Sequence, residues 1–111
     1  MKREVFFYKD YFRKFFQEQD LKTRMKILRI LDLIQVLDRI PEKYFKHLTG
    51  TNELYEIRIQ LGSNNYRIIC FFDKGNLVVL LNSFKKKTQK TPKNEIQQAE
   101  KLKQQYYEEK R

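Results

Sequence analysis

Residues 54–84, LYEIRIQLGSNNYRIICFFDKGNLVVLLNSF, leave few folds open to this chain. Tyr55, Ile57, Ile59 and Leu61 alternate with Glu56, Arg58 and Gln60, the period-2 pattern of a strand with one buried and one wet face. Residues 62–65 carry Gly62, Asn64 and Asn65 and read as a turn. YRIICFF follows as a mostly apolar central strand. Asp73, Lys74, Gly75 and Asn76 make a second hairpin turn, and LVVLLNSF a further buried strand. Three strands joined by two short turns form an antiparallel meander.

Ahead of the meander the period is helical. REVFFY is short, aromatic and β-prone and reads as an opening strand. Asp10 is placed to cap a helix through YFRKFFQEQ, whose Tyr11, Phe12, Phe15 and Phe16 share one face. Asp20 is placed to cap a second helix, from 21 to about 39, with Ile27, Leu28, Ile30, Leu31, Ile34 and Leu37 at helical spacing; Pro41 limits its length. IPEKYFKHLTGTNE reads as irregular. Behind the meander, Thr91 and Pro92 resemble an N-cap and first helical residue. Ile96, Ala99, Leu102 and Tyr106 then form a narrow stripe on a polar helix, which predicts loose attachment. The order β-α-α-β-β-β-α is an α+β fold: a small antiparallel sheet with an N-terminal helical pair and a C-terminal helix. Residues 1–111 are expected to form a single domain.

Charge narrows the partners. The net charge is +10 and the pI about 9.7, an excess that ordinarily faces a polyanion or an acidic protein. No apolar stretch approaches the roughly 20 residues of a bilayer span, and the N-terminus lacks the apolar core of a signal peptide. A cytoplasmic location without membrane contact is therefore expected. The one cysteine, Cys70, lies within YRIICFF and reads as a small core residue. His47 has no companion ligand at metal spacing, and the three glycines are isolated turn residues rather than a phosphate loop. No metal and no cofactor is expected.

What chemistry the chain offers is cationic. Glu56, Arg58 and Gln60 share a strand face, and Arg67 is unusual within an apolar strand, where an unpaired charge costs several kcal/mol. The last strand runs into Lys85, Lys86 and Lys87, with Lys90 and Lys93 following and no acid between. Adjacent strands bring these groups within reach of one another. Arg58 reads equally as a solvated sheet residue, Arg67 as the ion-pair partner of Glu56 or of a helix acid, and the lysines as a solvated surface. Taken together, they favour a phosphate-binding surface.

LYEIRI followed by YRI, then FKKKTQKTP opening the last helix, with PEKYFKHL ahead, resembles the HigB-like branch of the RelE/ParE type II toxin superfamily. These are often described as phage-derived host-killing proteins, and the resemblance runs along the whole chain. It implies a toxin that cuts mRNA on the ribosome and is silenced by a HigA-like helix-turn-helix antitoxin, through which alone the pair would touch operator DNA. By this resemblance Arg58 and Arg67 hold the reacting phosphate and Lys87, beside Lys86, adds a cation. On the mechanism that fits these residues, Glu56 or Lys90 would aid proton transfer, and Lys85, Lys86, Lys90 and Lys93 would steer the protein onto ribosomal RNA. Attack by the RNA's own 2′-hydroxyl would need no metal. The family's usual C-terminal tyrosine or histidine is replaced here by Gln89, Lys90, Thr91 and Pro92. Two rival expectations share the fold: a ParE-like gyrase inhibitor without nuclease activity, and an inactive toxin retained as a repressor partner.

Overall fold

A computed structural model describes residues 2–110. Its elements run β1 (Glu4–Phe7), α1 (Tyr11–Gln17), α2 (Leu21–Val36), β2 (Phe45–His47), β3 (Tyr55–Leu61), β4 (Asn64–Asp73), β5 (Leu77–Lys86) and α3 (Lys93–Lys110). β3, β4 and β5 are the expected meander, antiparallel throughout. Gly62 and Gly75 stand at its two turns with φ of 61° and 64°, a conformation that costs a residue with a Cβ.

Two further strands complete a five-stranded sheet in the order β1-β5-β4-β3-β2. β1 lies parallel to β5, with Glu4 opposite Leu77 and Phe7 opposite Leu80, so the sheet is mixed rather than wholly antiparallel. β2 extends the other edge, antiparallel to β3, inside the segment expected to be irregular. Three residues are too few to show a period. What fixes them is pairing with β3, the Arg58 N–H donating to the Tyr44 carbonyl at 2.8 Å and the stacking of Phe45 on Tyr55.

The side-chain period places a core on each face. Ile57, Ile59, Ile68, Cys70, Val78 and Leu80 meet Phe12 and Phe15 of α1 and Ile27, Ile30, Leu31 and Ile34 of α2. Ile69, Phe71, Val79 and Leu81 meet Ala99, Leu102 and Tyr106 of α3. β4 and β5 are thus covered on both sides, which is why they read as continuous apolar runs. Cys70 is fully buried, and burial pushes its thiol well above the ordinary range.

Three local expectations are corrected. Asp10 occupies the cap position of α1 but makes no side-chain cap; its carboxylate pairs instead with Lys14 at 3.3 Å and Arg13 at 3.9 Å. Asp20 does cap α2, accepting from the Thr23 N–H at 2.9 Å, which holds its carboxyl below the usual range. Yet α2 ends at Val36, and Leu28 points outward rather than into the core. Finally, α3 is not loosely attached. Asp73, at the end of β4, accepts hydrogen bonds from the hydroxyls of Tyr106 (2.7 Å) and Tyr107 (3.2 Å) and pairs with Lys110 Nζ (2.6 Å). The Tyr8 hydroxyl holds Glu109 at 2.8 Å.

Candidate functional site

The direction of α3 creates the site. At its start Asn82 of β5 donates to the Glu95 carbonyl and carboxylate at 3.0 and 2.9 Å; near its end Tyr106 reaches Asp73. The helix therefore doubles back along β5 from Asn82, leaving the far tip of the meander uncovered on that face. Register decides which side chains occupy this tip. Arg58 faces Arg67, Arg67 faces Phe84, and Asn65 faces Lys86. Paired residues share a face, so Arg58, Arg67 and Lys86 all lie on the α3 side, beyond the helix.

One carboxylate organises them. Glu56, two residues before Arg58 and only 3% exposed, brings its Oε2 to 3.2 Å from Arg58 Nε and 3.6 Å from Arg67 Nε. Its Oε1 accepts the Thr91 hydroxyl at 2.6 Å. Arg67 Nη1 donates to the Tyr66 carbonyl at 3.0 Å. Arg58 Nε–H is not directed at Glu56 well enough for a hydrogen bond and Arg67 Nε is too far from it, so both are buried without a protein acceptor among the described residues. Donor capacity is left over, which is unusual for buried Nε–H groups.

Cations outnumber the acid. A groove of about 680 Å³ is lined by Arg58, Ser63, Asn65, Arg67, Lys86, Lys87, Thr88 and Gln89. Behind it a second hollow of about 510 Å³ holds Lys46, Glu56, Arg58, Lys86, Lys90 and Thr91. Burial lowers the Arg67 guanidinium below its ordinary value, Arg58 adds to this and Glu56 opposes it; an arginine remains charged nonetheless. Burial also lowers the Lys86 amine, assisted by Arg67, Arg58 and Lys46.

Of the residues singled out in the sequence, the structure brings together Glu56, Arg58, Arg67, Lys86, Lys87 and Lys90. Lys85 is paired with Tyr66, whose ring packs with Phe15, so it belongs to the opposite face of the sheet. Lys93 opens α3 on the exposed surface. Two residues were missed. Lys46 is opposite Glu56 on β2, a strand too short to recognise. Thr91 reads as a helix cap, but its hydroxyl goes to Glu56, and the first turn of α3 closes on the Pro92 carbonyl. Among the described residues no three His, Cys, Asp or Glu side chains converge as metal ligands, and no helix is long and apolar enough to cross a membrane.

Comparison with solved structures finds a likeness of fold to a chain in the crystal structure of the archaeal RelE-RelB complex from Pyrococcus horikoshii OT3. The TM-score is 0.55 at 23% identity, over 75% of this chain and 93% of that one. No curated protein matches the chain. Residues 14–104, from within α1 through most of α3, match the family described as Phage derived protein Gp49-like (DUF891). With both the meander and its cationic tip inside the matched stretch, the chain belongs to the phage-derived Gp49-like family.

Proposed function

We propose that this protein is the toxin of a type II toxin–antitoxin pair, of the HigB-like kind, and acts as an endoribonuclease on ribosome-bound mRNA. The observation that carries this reading is the pair of arginines, Arg58 and Arg67, held by the buried Glu56 with hydrogen-bond donors to spare at the wall of a lysine-lined groove. A cleft of that charge and size suits a bent ribose-phosphate linkage. The RNA supplies the nucleophile: its 2′-oxygen bonds to the adjacent phosphorus as its proton departs. The bond to the 5′-oxygen then breaks, and that oxygen takes up a proton. The products are a 2′,3′-cyclic phosphate and a 5′-hydroxyl. Arg58, Arg67 and Lys87 neutralise the charge that builds on the nonbridging oxygens. Glu56 holds the two guanidiniums in place from behind. Lys86, whose amine is shifted toward neutrality, joins Lys90 as a carrier of protons. DNA, lacking the 2′-hydroxyl, is not a substrate.

The partner in this reading is a HigA-like helix-turn-helix antitoxin; the fold neighbour comes from a two-protein RelE-RelB complex. Primer extension on mRNA from expressing cells tests the activity. New 5′ ends within translated codons are expected for the wild type. Arg67→Ala and Lys87→Ala should each lower cleavage by about 10² to 10³, abolishing growth arrest while the protein stays folded. Intact mRNA with induction of the DNA-damage response would replace this reading with gyrase inhibition. Unimpaired growth would mark an inactive toxin.

A further inference from the structure

The outer face of α2 carries apolar side chains that nothing in the molecule covers. Leu21 is 71% exposed, Met25 62%, Leu28 53% and Val36 46%. At 3.6 residues per turn, positions 21, 25, 28, 32 and 36 fall within about 80° of one another. They lie opposite Ile27, Ile30 and Ile34, which face the sheet. An amphipathic helix normally turns charge toward solvent, so a second apolar stripe on its outer side asks for a partner. Lys22 and Arg29 border the stripe along one edge, both exposed and, among the described residues, in no ion pair. Asp32 interrupts it between Leu28 and Val36.

We propose that this face docks an amphipathic helix of the partner protein, one with an apolar stripe, acidic side chains along one edge and a hydrogen-bond donor set against Asp32. The identity of that partner as the antitoxin rests on the toxin reading above; the chemistry of the face does not. A second copy of the chain is disfavoured because it would bring together two molecules of charge +10, and an antiparallel pairing would set Lys22 and Arg29 against their own equivalents. An anionic lipid surface would match the cationic edge but would bury Asp32 among acyl chains without a partner. A protein helix satisfies all three features. The face lies across the sheet from the cationic groove, since α2 and α3 cover opposite sides. Changes to it therefore leave the groove intact.

The probe is the purified protein encoded by the reading frame adjoining this one, titrated calorimetrically against the full chain. The wild type should bind it. Met25→Glu with Leu28→Glu should weaken binding by about 100-fold, and Lys22→Glu with Arg29→Glu by about 10-fold. These positions are already exposed, and unchanged circular dichroism would verify folding. Undiminished binding by the double glutamate variant, or no binding by the wild type, overturns the proposal. So does wild-type self-association, or flotation on phosphatidylglycerol vesicles, that the same variant abolishes. Growth arrest separates the two readings. Arrest by the double glutamate variant that the adjoining protein no longer relieves supports both. Loss of binding in a protein that never arrests growth keeps the docking face and rejects the toxin.

Discussion

Glu56 is a buried carboxylate that faces Arg58 at 3.2 Å, Arg67 at 3.6 Å and the Thr91 hydroxyl at 2.6 Å. Removing it would strand Arg67, itself only 6% exposed. Glu56→Ala is therefore expected to cost about 3 kcal/mol of stability, measured by chemical denaturation. The same change frees both guanidiniums, so RNA should bind more tightly while cleavage falls, a split that filter binding and single-turnover assays would read. The alternation of Glu56, Arg58 and Gln60 made this cluster legible in the sequence, and Arg67 stood out as a charge in an apolar strand. Thr91 was not legible. Threonine before proline carries a strong local capping signal, and only the fold reveals that a carboxylate from β3, 35 positions away, competes for its hydroxyl. Lys85 shows the converse limit: a lysine run has no visible period, but a strand sends neighbours to opposite faces.

At the scale of elements, the anchoring of α3 follows from Asp73. Two tyrosine hydroxyls, the Lys110 ammonium and the Lys74 N–H converge on its carboxylate. Chiefly through Lys110 and then Tyr106, they hold it well below the usual carboxylate range. Tyr106 in turn is pushed up to about 12, mostly by burial and then by Asp73. Because the folded state prefers the ionised carboxylate, its contribution is complete above the unfolded value of about 4 and is lost as pH falls further. Asp73→Asn should thus destabilise the protein by about 2 kcal/mol at pH 7. Its melting temperature should converge with that of the wild type in strong acid. The sequence suggested weak docking of α3 because its stripe is narrow and its flanks polar. The bonds that secure it link residues more than thirty positions apart. β1 was legible as a strand but not as a parallel neighbour of β5, since pairing at that separation leaves no local pattern.

For the molecule as a whole, the proposed function makes the net charge of +10 a driver of association with RNA. Binding to ribosomal or messenger RNA should weaken linearly in log K against log salt, as contacts displace counterions. Lys87→Ala should flatten that slope by about one unit, whereas Lys85→Ala, on the far face, should leave it nearly unchanged. The charge excess was plain in composition; that part of it lines one uncovered tip depends on where α3 begins. That starting point has an evolutionary side. Much of the cleft's wall, from Lys87 through Thr91, is a connector that bears none of the two hydrophobic cores. Insertions or substitutions there can reshape the cleft while the scaffold keeps its melting behaviour, so new specificities can arise without the fold having to be rebuilt.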